Sequence, residues 1–165
     1  MKLPKPIKPK KGQESVWDYP RPPKLELFEK LIEIYFNDTL IASTHRAYRV
    51  LETSHPPVYY IPDHDVENKY LVYSDKITFC EFKGKGAYYD IQVADRLAEE
   101  AAWFYDNPKL PFAPIRNHLA FYAEKMDKCF VNGIQVTPQP GTFYGGWITP
   151  DIIGPFKGEP GTWGW

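Results

Sequence analysis

A mainly β domain with few, short helical turns is what this sequence predicts, and three observations predict it. Aromatic residues make up 16% of the chain, with twelve Tyr and ten Phe, and such rings suit a pleated, half-buried surface. Seventeen prolines stand against long helices and favour stiff, constrained turns. Short runs such as IEIYF and VYYIP concentrate β-branched and aromatic residues over strand length.

Each element follows from local chemistry. Residues 1–12, MKLPKPIKPKKG, carry five lysines, three prolines and no acid. They bury little apolar area, so an extended arm is expected over 1–23. Trp17 and Tyr19 within it should turn their rings toward the body. A domain spans 24–136. In it, Ile32, Ile34 and Phe36 share one strand face and Leu31, Glu33 and Tyr35 the other. Asn37-Asp38 predicts a hairpin turn into Thr39–Ser43. AYRVLET and VYYIP predict two more strands. Asp63 is positioned to cap a single helical turn. KITFCEF and GAYYDIQV bracket KGKG as a hairpin. Propensity alone favours helix over 94–106, ADRLAEEAAWFYD, although its end favours strand. DNPKLPFAP predicts a loop with one helical turn near Pro114–Asn117. HLAFY predicts a strand, and KCFVNGIQV a hairpin at Asn132-Gly133, the strongest short hairpin signal. Residues 137–165, rich in Gly, Pro and aromatics, should wrap the body irregularly, because their tryptophans gain by burial.

Composition excludes several classes. A net charge of −1 argues against a nucleic-acid partner, which calls for a basic excess. No apolar run reaches the ~20 residues of a membrane span. Cys80 and Cys129 are too few for a disulfide framework or a four-cysteine zinc site. A cytoplasmic, reducing setting is therefore expected, with no cofactor or metal implied. Oligomeric state is not legible.

ETSHPPVYYIP, TFCEFKG, YYD, AAWFY and HLAFY, in this order, resemble the bacterial family catalogued as domain of unknown function 427. The resemblance covers roughly residues 28–131. The family carries a nucleotidyltransferase-like label. It is similar to β-tent proteins, in which two antiparallel sheets meet at a steep angle. The resemblance thus implies a β-tent-like fold. Relatives in that architecture pin their sheets with a four-cysteine zinc site, whose paired CxxC motifs are absent here. Aromatic packing should hold the sheets instead. The resemblance also implies a strand through Leu97–Tyr105, against propensity.

Candidate site residues come from several constellations. Pro56 and Pro57 make a rigid kink after His55. His55 either works as an acid or base beside Glu52 and Ser54, or hydrogen-bonds a carbonyl and locks the corner. Tyr59 and Tyr60 must lie on opposite faces, and so must Tyr88 and Tyr89. Trp103 and Tyr105 share a face. Were these faces to converge, they would form an aromatic pocket; otherwise they are core. The resemblance makes Cys80 the best nucleophile candidate, given a nearby cation such as Lys83 or His55; a buried, inert thiol is the commoner case. The Lys83–Gly86 turn can offer amides and ammonium groups to phosphate, or be plain solvated hairpin. Asp63, His64 and Asp65 have a spacing seen at magnesium sites, but a helical turn there would separate them.

These readings leave three functions. The first is a small-molecule-binding module, with Glu52, His55, Tyr59, Tyr60, Tyr89, Trp103 and Tyr105 around its ligand. The second is an enzyme acting on a nucleotide or related metabolite through His55, Cys80 or Lys83. The third is a protein-interaction domain using the arm and the aromatic tail. No complete catalytic constellation appears, so the first is expected.

Overall fold

The computed structural model describes residues 2–165. Glu14–Ser15 (β1) opens the folded body, and a 3-10 turn at Val16–Asp18 leads to Lys24–Phe28 (β2). Ile32–Phe36 (β3) and Thr39–Thr44 (β4) form a hairpin. Its turn residues Asn37 and Asp38 both have positive φ, 50° and 56°, the type I′ geometry that matches strand twist. Ala47–Leu51 (β5) and Val58–Pro62 (β6) follow. Leu71–Cys80 (β7), Gly84–Val93 (β8) and Arg96–Tyr105 (β9) make a meander of long strands. His118–Phe121 (β10) returns to it, and Lys128–Val131 (β11) and Ile134–Gln135 (β12) form a hairpin across Asn132-Gly133. Thr137–Pro138 (β13), Trp147–Ile148 (β14) and Ile152–Ile153 (β15) complete the chain.

Two antiparallel sheets dominate. One has seven strands in the order β2-β5-β6-β10-β9-β8-β7, and the other four, β12-β11-β3-β4. They share a core built by strict alternation. Ile32, Ile34 and Phe36 of β3 are buried while Glu33 and Tyr35 are not. Against them pack Tyr59, Ile61, Leu119 and Phe121 from the larger sheet. This mainly β, antiparallel arrangement is the class the sequence predicts.

The segment 94–106 is strand. Helix-favouring Ala and Glu are overruled because β9 pairs with β8 on one side and β10 on the other, burying Ala101, Ala102 and Trp103. Packing decides where propensity is weak. Two local expectations need correction. Asp63 begins a 3-10 turn, but Pro62 precedes it and no side chain caps it. The helical turn in the proline-rich loop lies earlier, at Leu110–Ile115, because Phe112 and Ile115 are buried there.

The two ends of the chain are tied together. β1 pairs in parallel with β15, and β13 pairs with β14, so the tail carries short ladders as well as irregular stretches. Arg49 of β5 holds Glu14 at 2.6 Å and Glu26 at 2.7 Å. The Tyr19 hydroxyl donates to Glu14 at 2.7 Å. No helix among the described residues is long and apolar enough to cross a membrane.

Candidate functional site

Alternation gives the seven-stranded sheet a second buried face. Val58 and Tyr60 on β6 point away from the main core, as do Trp103 and Tyr105 on β9 and Tyr88 on β8. Tyr122, just past β10, joins them. These side chains do not close into a solid layer. They surround a cavity of about 340 Å³, within the range of small-molecule sites. A Cβ on Gly86 would press on Thr78 and the Tyr105 ring, so the glycine clears room for Tyr105.

The corner after β5 brings polar groups to the same cavity. The His55 amide donates to the Glu52 carbonyl at 3.0 Å, closing a turn before the buried Pro56 and Pro57. This turn breaks strand alternation. Glu52 and His55 both line the cavity, whereas Ser54 is buried elsewhere with φ 73° and no partner for its hydroxyl.

His55 has its hydrogen bonds assigned by its neighbours. Gln139 accepts the Gly146 amide on Oε1 at 3.0 Å, so its Nε2 is the donor end. That nitrogen donates to the Lys157 carbonyl at 2.8 Å and to His55 Nδ1 at 3.1 Å. Nδ1 is therefore an acceptor, and the proton of the neutral ring sits on Nε2. Nε2 lies 3.7 Å from a Glu52 oxygen, which Arg21 also approaches at 3.5 Å. Burial, then the positive charges of Lys157, Arg21 and Lys83, push the His55 pKa down to about 3. The imidazole is neutral at physiological pH.

The end of β7 and the turn into β8 supply the thiol and the amine. Cys80 and Lys83 both line the cavity, and Lys83 Nζ lies 3.5 Å from Cys80 Sγ. Lys83 is only 9% exposed and lies over the Phe112 ring at 5.4 Å. Cys129, by contrast, is buried in the main core, where desolvation pushes its pKa up. Burial also pushes up the hydroxyls of Tyr60, Tyr105 and Tyr122, so these phenols stay protonated.

The roof comes from the C-terminal segment. Tyr144, Gly145 and Lys157 line the cavity. A Cβ on Gly145 would overlap the Trp103 ring, so only glycine lets this strap lie so close. Tyr144 meets His55 edge-on at 4.9 Å. Trp147 anchors the strap: its amide donates to the Pro57 carbonyl at 2.8 Å, and its indole N–H to the Phe121 carbonyl at 3.0 Å.

Of the residues singled out from sequence, Glu52, His55, Tyr60, Cys80, Lys83, Trp103 and Tyr105 come together around this cavity. Tyr59 and Tyr89 do not. Tyr59 faces the main core, against Phe28 at 5.0 Å and Trp147 at 5.3 Å. Tyr89 stacks on Phe104 at 4.9 Å on that same inner face. Alternation leaves Tyr60 alone of its pair on the cavity and puts Tyr88 there in place of Tyr89. Sequence reasoning missed Tyr88, Tyr122, Gln139, Tyr144 and Lys157. Tyr88 could have been found from register, since it pairs directly with Trp103 and opposed residues share a face. The tail residues give no periodic signal. Asp63, His64 and Asp65 lie in their 3-10 turn, outside the cavity.

No curated protein matches the chain. A family model described as a domain of unknown function, DUF427, matches residues 24–132, from β2 through the β11–β12 hairpin turn and thus every strand of the cavity's floor. On that match, covering more than half of the sequence, the chain belongs to the DUF427 family.

Proposed function

We propose that this protein is a non-catalytic binding module for a small, planar molecule, held between the outer face of the seven-stranded sheet and the C-terminal strap. The observation that carries this reading is the cavity itself. Five rings, Tyr60, Tyr88, Trp103, Tyr105 and Tyr122, converge on it. A core that served stability alone would close such a space, because cavities cost stability. The enzyme reading, with His55, Cys80 and Lys83 in one cavity, is the runner-up, supported by the Lys83–Cys80 approach. It is weakened at His55. Nδ1 is occupied by Gln139, and a pKa near 3 makes a poor general base near neutrality. Two free thiols fit the expected cytoplasmic setting.

The test is a panel of planar aromatic compounds, neutral, anionic and cationic, read by thermal shift and by Cys80 labelling. A ligand should raise Tm by mass action and slow modification of Cys80 while Cys129 stays unreactive throughout. A panel in which no member stabilises the fold or protects Cys80 rejects the binding-module reading.

A further inference from the structure

The cavity holds a charge that its own walls leave uncompensated. Lys83 is 9% exposed, and no carboxylate lies within ion-pair distance of it among the described residues. Its one polar side-chain contact is the Cys80 sulfur at 3.5 Å. A buried ammonium without an anion is costly, and proteins pair such groups or bind something to them. Lys157, from the C-terminal strap, lines the same cavity. Its ammonium lies over the Tyr144 ring at 5.6 Å and donates to a main-chain oxygen of Trp165 at 3.2 Å, so its charge already has an oxygen acceptor, while that of Lys83 has only the sulfur. The acids on the cavity do not offset these charges. Glu52 is engaged by Arg21 and His55, and Glu81 is exposed at the mouth. His55, uncharged, adds an Nε2–H donor on the Glu52 side of the cavity.

Resting on the binding reading above, we propose that the ligand carries an acid group, a carboxylate or phosphate, bound by the ammonium groups of Lys83 and Lys157, with its planar body against Trp103 and the surrounding tyrosines. The two lysines come from different parts of the chain, the β7–β8 turn and the C-terminal strap. The buried, unpaired ammonium of Lys83 is what singles out an anion, and Lys157 adds charge of the same sign on the cavity lining. A cationic ligand, which an aromatic cage alone would favour, meets two like charges here.

Four probes of related shape test this: indole-3-acetate, phenyl phosphate, the neutral indole-3-acetamide and the cationic tryptamine. Affinities come from calorimetry or from titration of amide shifts. Indole-3-acetate should bind roughly 10-fold or more tighter than indole-3-acetamide, the scale of a charge-assisted hydrogen bond, and tryptamine should bind weakest. Comparing indole-3-acetate with phenyl phosphate shows which acid the site prefers. Lys83→Met should bring the affinity for indole-3-acetate down to that of the amide. If Lys83→Met fails to fold, Lys157→Met, at a less buried position, carries the same test. Acetamide binding as tightly as acetate overturns the anion proposal and leaves the binding reading standing; so does an acid preference that survives both substitutions. Such a preference would place the acid on donors other than the two lysines. Binding by none of the four overturns both.

Discussion

The seven-stranded sheet has two faces built from the same strands, and they have opposite characters. On the inner face Tyr59, Ile61, Leu119 and Phe121 interlock with β3 and β4 in one continuous core. On the outer face their sequence neighbours Val58, Tyr60 and Tyr122, with Ala120 packed among them, surround a cavity lined by an ammonium, a thiol and an imidazole. The two cysteines divide the same way, Cys129 buried inside and Cys80 on the cavity. Two-residue periodicity lets one strand serve stability with one face and leave the other for a site. The inner face is closed by a sheet. The outer face is closed by a strap that a glycine lets approach and one tryptophan pins.

The sharpest way to break this contrast is truncation on each face. Phe121→Ala should destabilise by about 3–5 kcal/mol, as for a large ring removed from a tight core. Val58→Ala, one strand away but beside an existing cavity, should cost about 1 kcal/mol, close to the transfer value alone. Urea denaturation at constant m-value measures both. Similar costs would mean that the outer face is as tightly packed as the inner.

A second contrast lies in pH. The His55 pKa, ordinarily 6.5, is pushed down to about 3 by burial and by nearby cations. The unfolded chain therefore binds a proton below pH 6.5 that the folded chain refuses. Stability contributed by the neutral ring is complete above pH 6.5 and drains away as pH falls toward 3. Between pH 6.5 and about pH 4.5 the loss should reach roughly 2 kcal/mol. His55→Asn removes the titration, so its stability should fall less steeply over that interval. Parallel curves for the two proteins would show that the imidazole is accessible to protons in the folded state, and that the outer face is wetter than its geometry indicates.

Much of the inner face was legible because it rests on local rules. The alternation in IEIYF and the Asn37-Asp38 and Asn132-Gly133 turns fix strands and hairpins within a few residues. The outer face was legible only in part. That Tyr59 and Tyr60 must divide follows from periodicity, but which one faces the cavity depends on where the other sheet lies. The choice between Tyr88 and Tyr89 depends on the β8–β9 register. That register is set by a tight turn in which Ala94 takes φ 53° and by a β-bulge beyond it, where Glu100 takes φ 52°, and neither Ala nor Glu is a residue that signals a positive φ. Strand at 97–105 was reached through family resemblance, against propensity. Gln139, Tyr144 and Lys157 were beyond reach. They lie outside the residues that match the family, and Gln139 meets His55 across 84 positions of sequence.

The smallest expected effect concerns Ser54, at the hinge between the two faces. Its φ of 73° places a Cβ in the left-handed region, which costs about 1 kcal/mol or more for a residue other than glycine. Its hydroxyl is fully buried with no partner, a further penalty of roughly 1–3 kcal/mol. Its backbone is well used: the amide donates to Val16 at 3.1 Å, and the carbonyl accepts from Lys157 at 2.9 Å. Ser54→Gly keeps both backbone bonds, relieves the dihedral and removes the orphan hydroxyl. Against this stands the greater freedom of glycine in the unfolded chain, about 0.5–1 kcal/mol, and the small void left behind. The balance should be a gain of about 1 kcal/mol by urea denaturation. Ser54→Ala separates the contributions, since it removes the hydroxyl and retains the strain, and it should gain less than glycine. Destabilisation by both would mean that the hydroxyl has a partner, such as a buried water, and that this corner is held as firmly as the inner core.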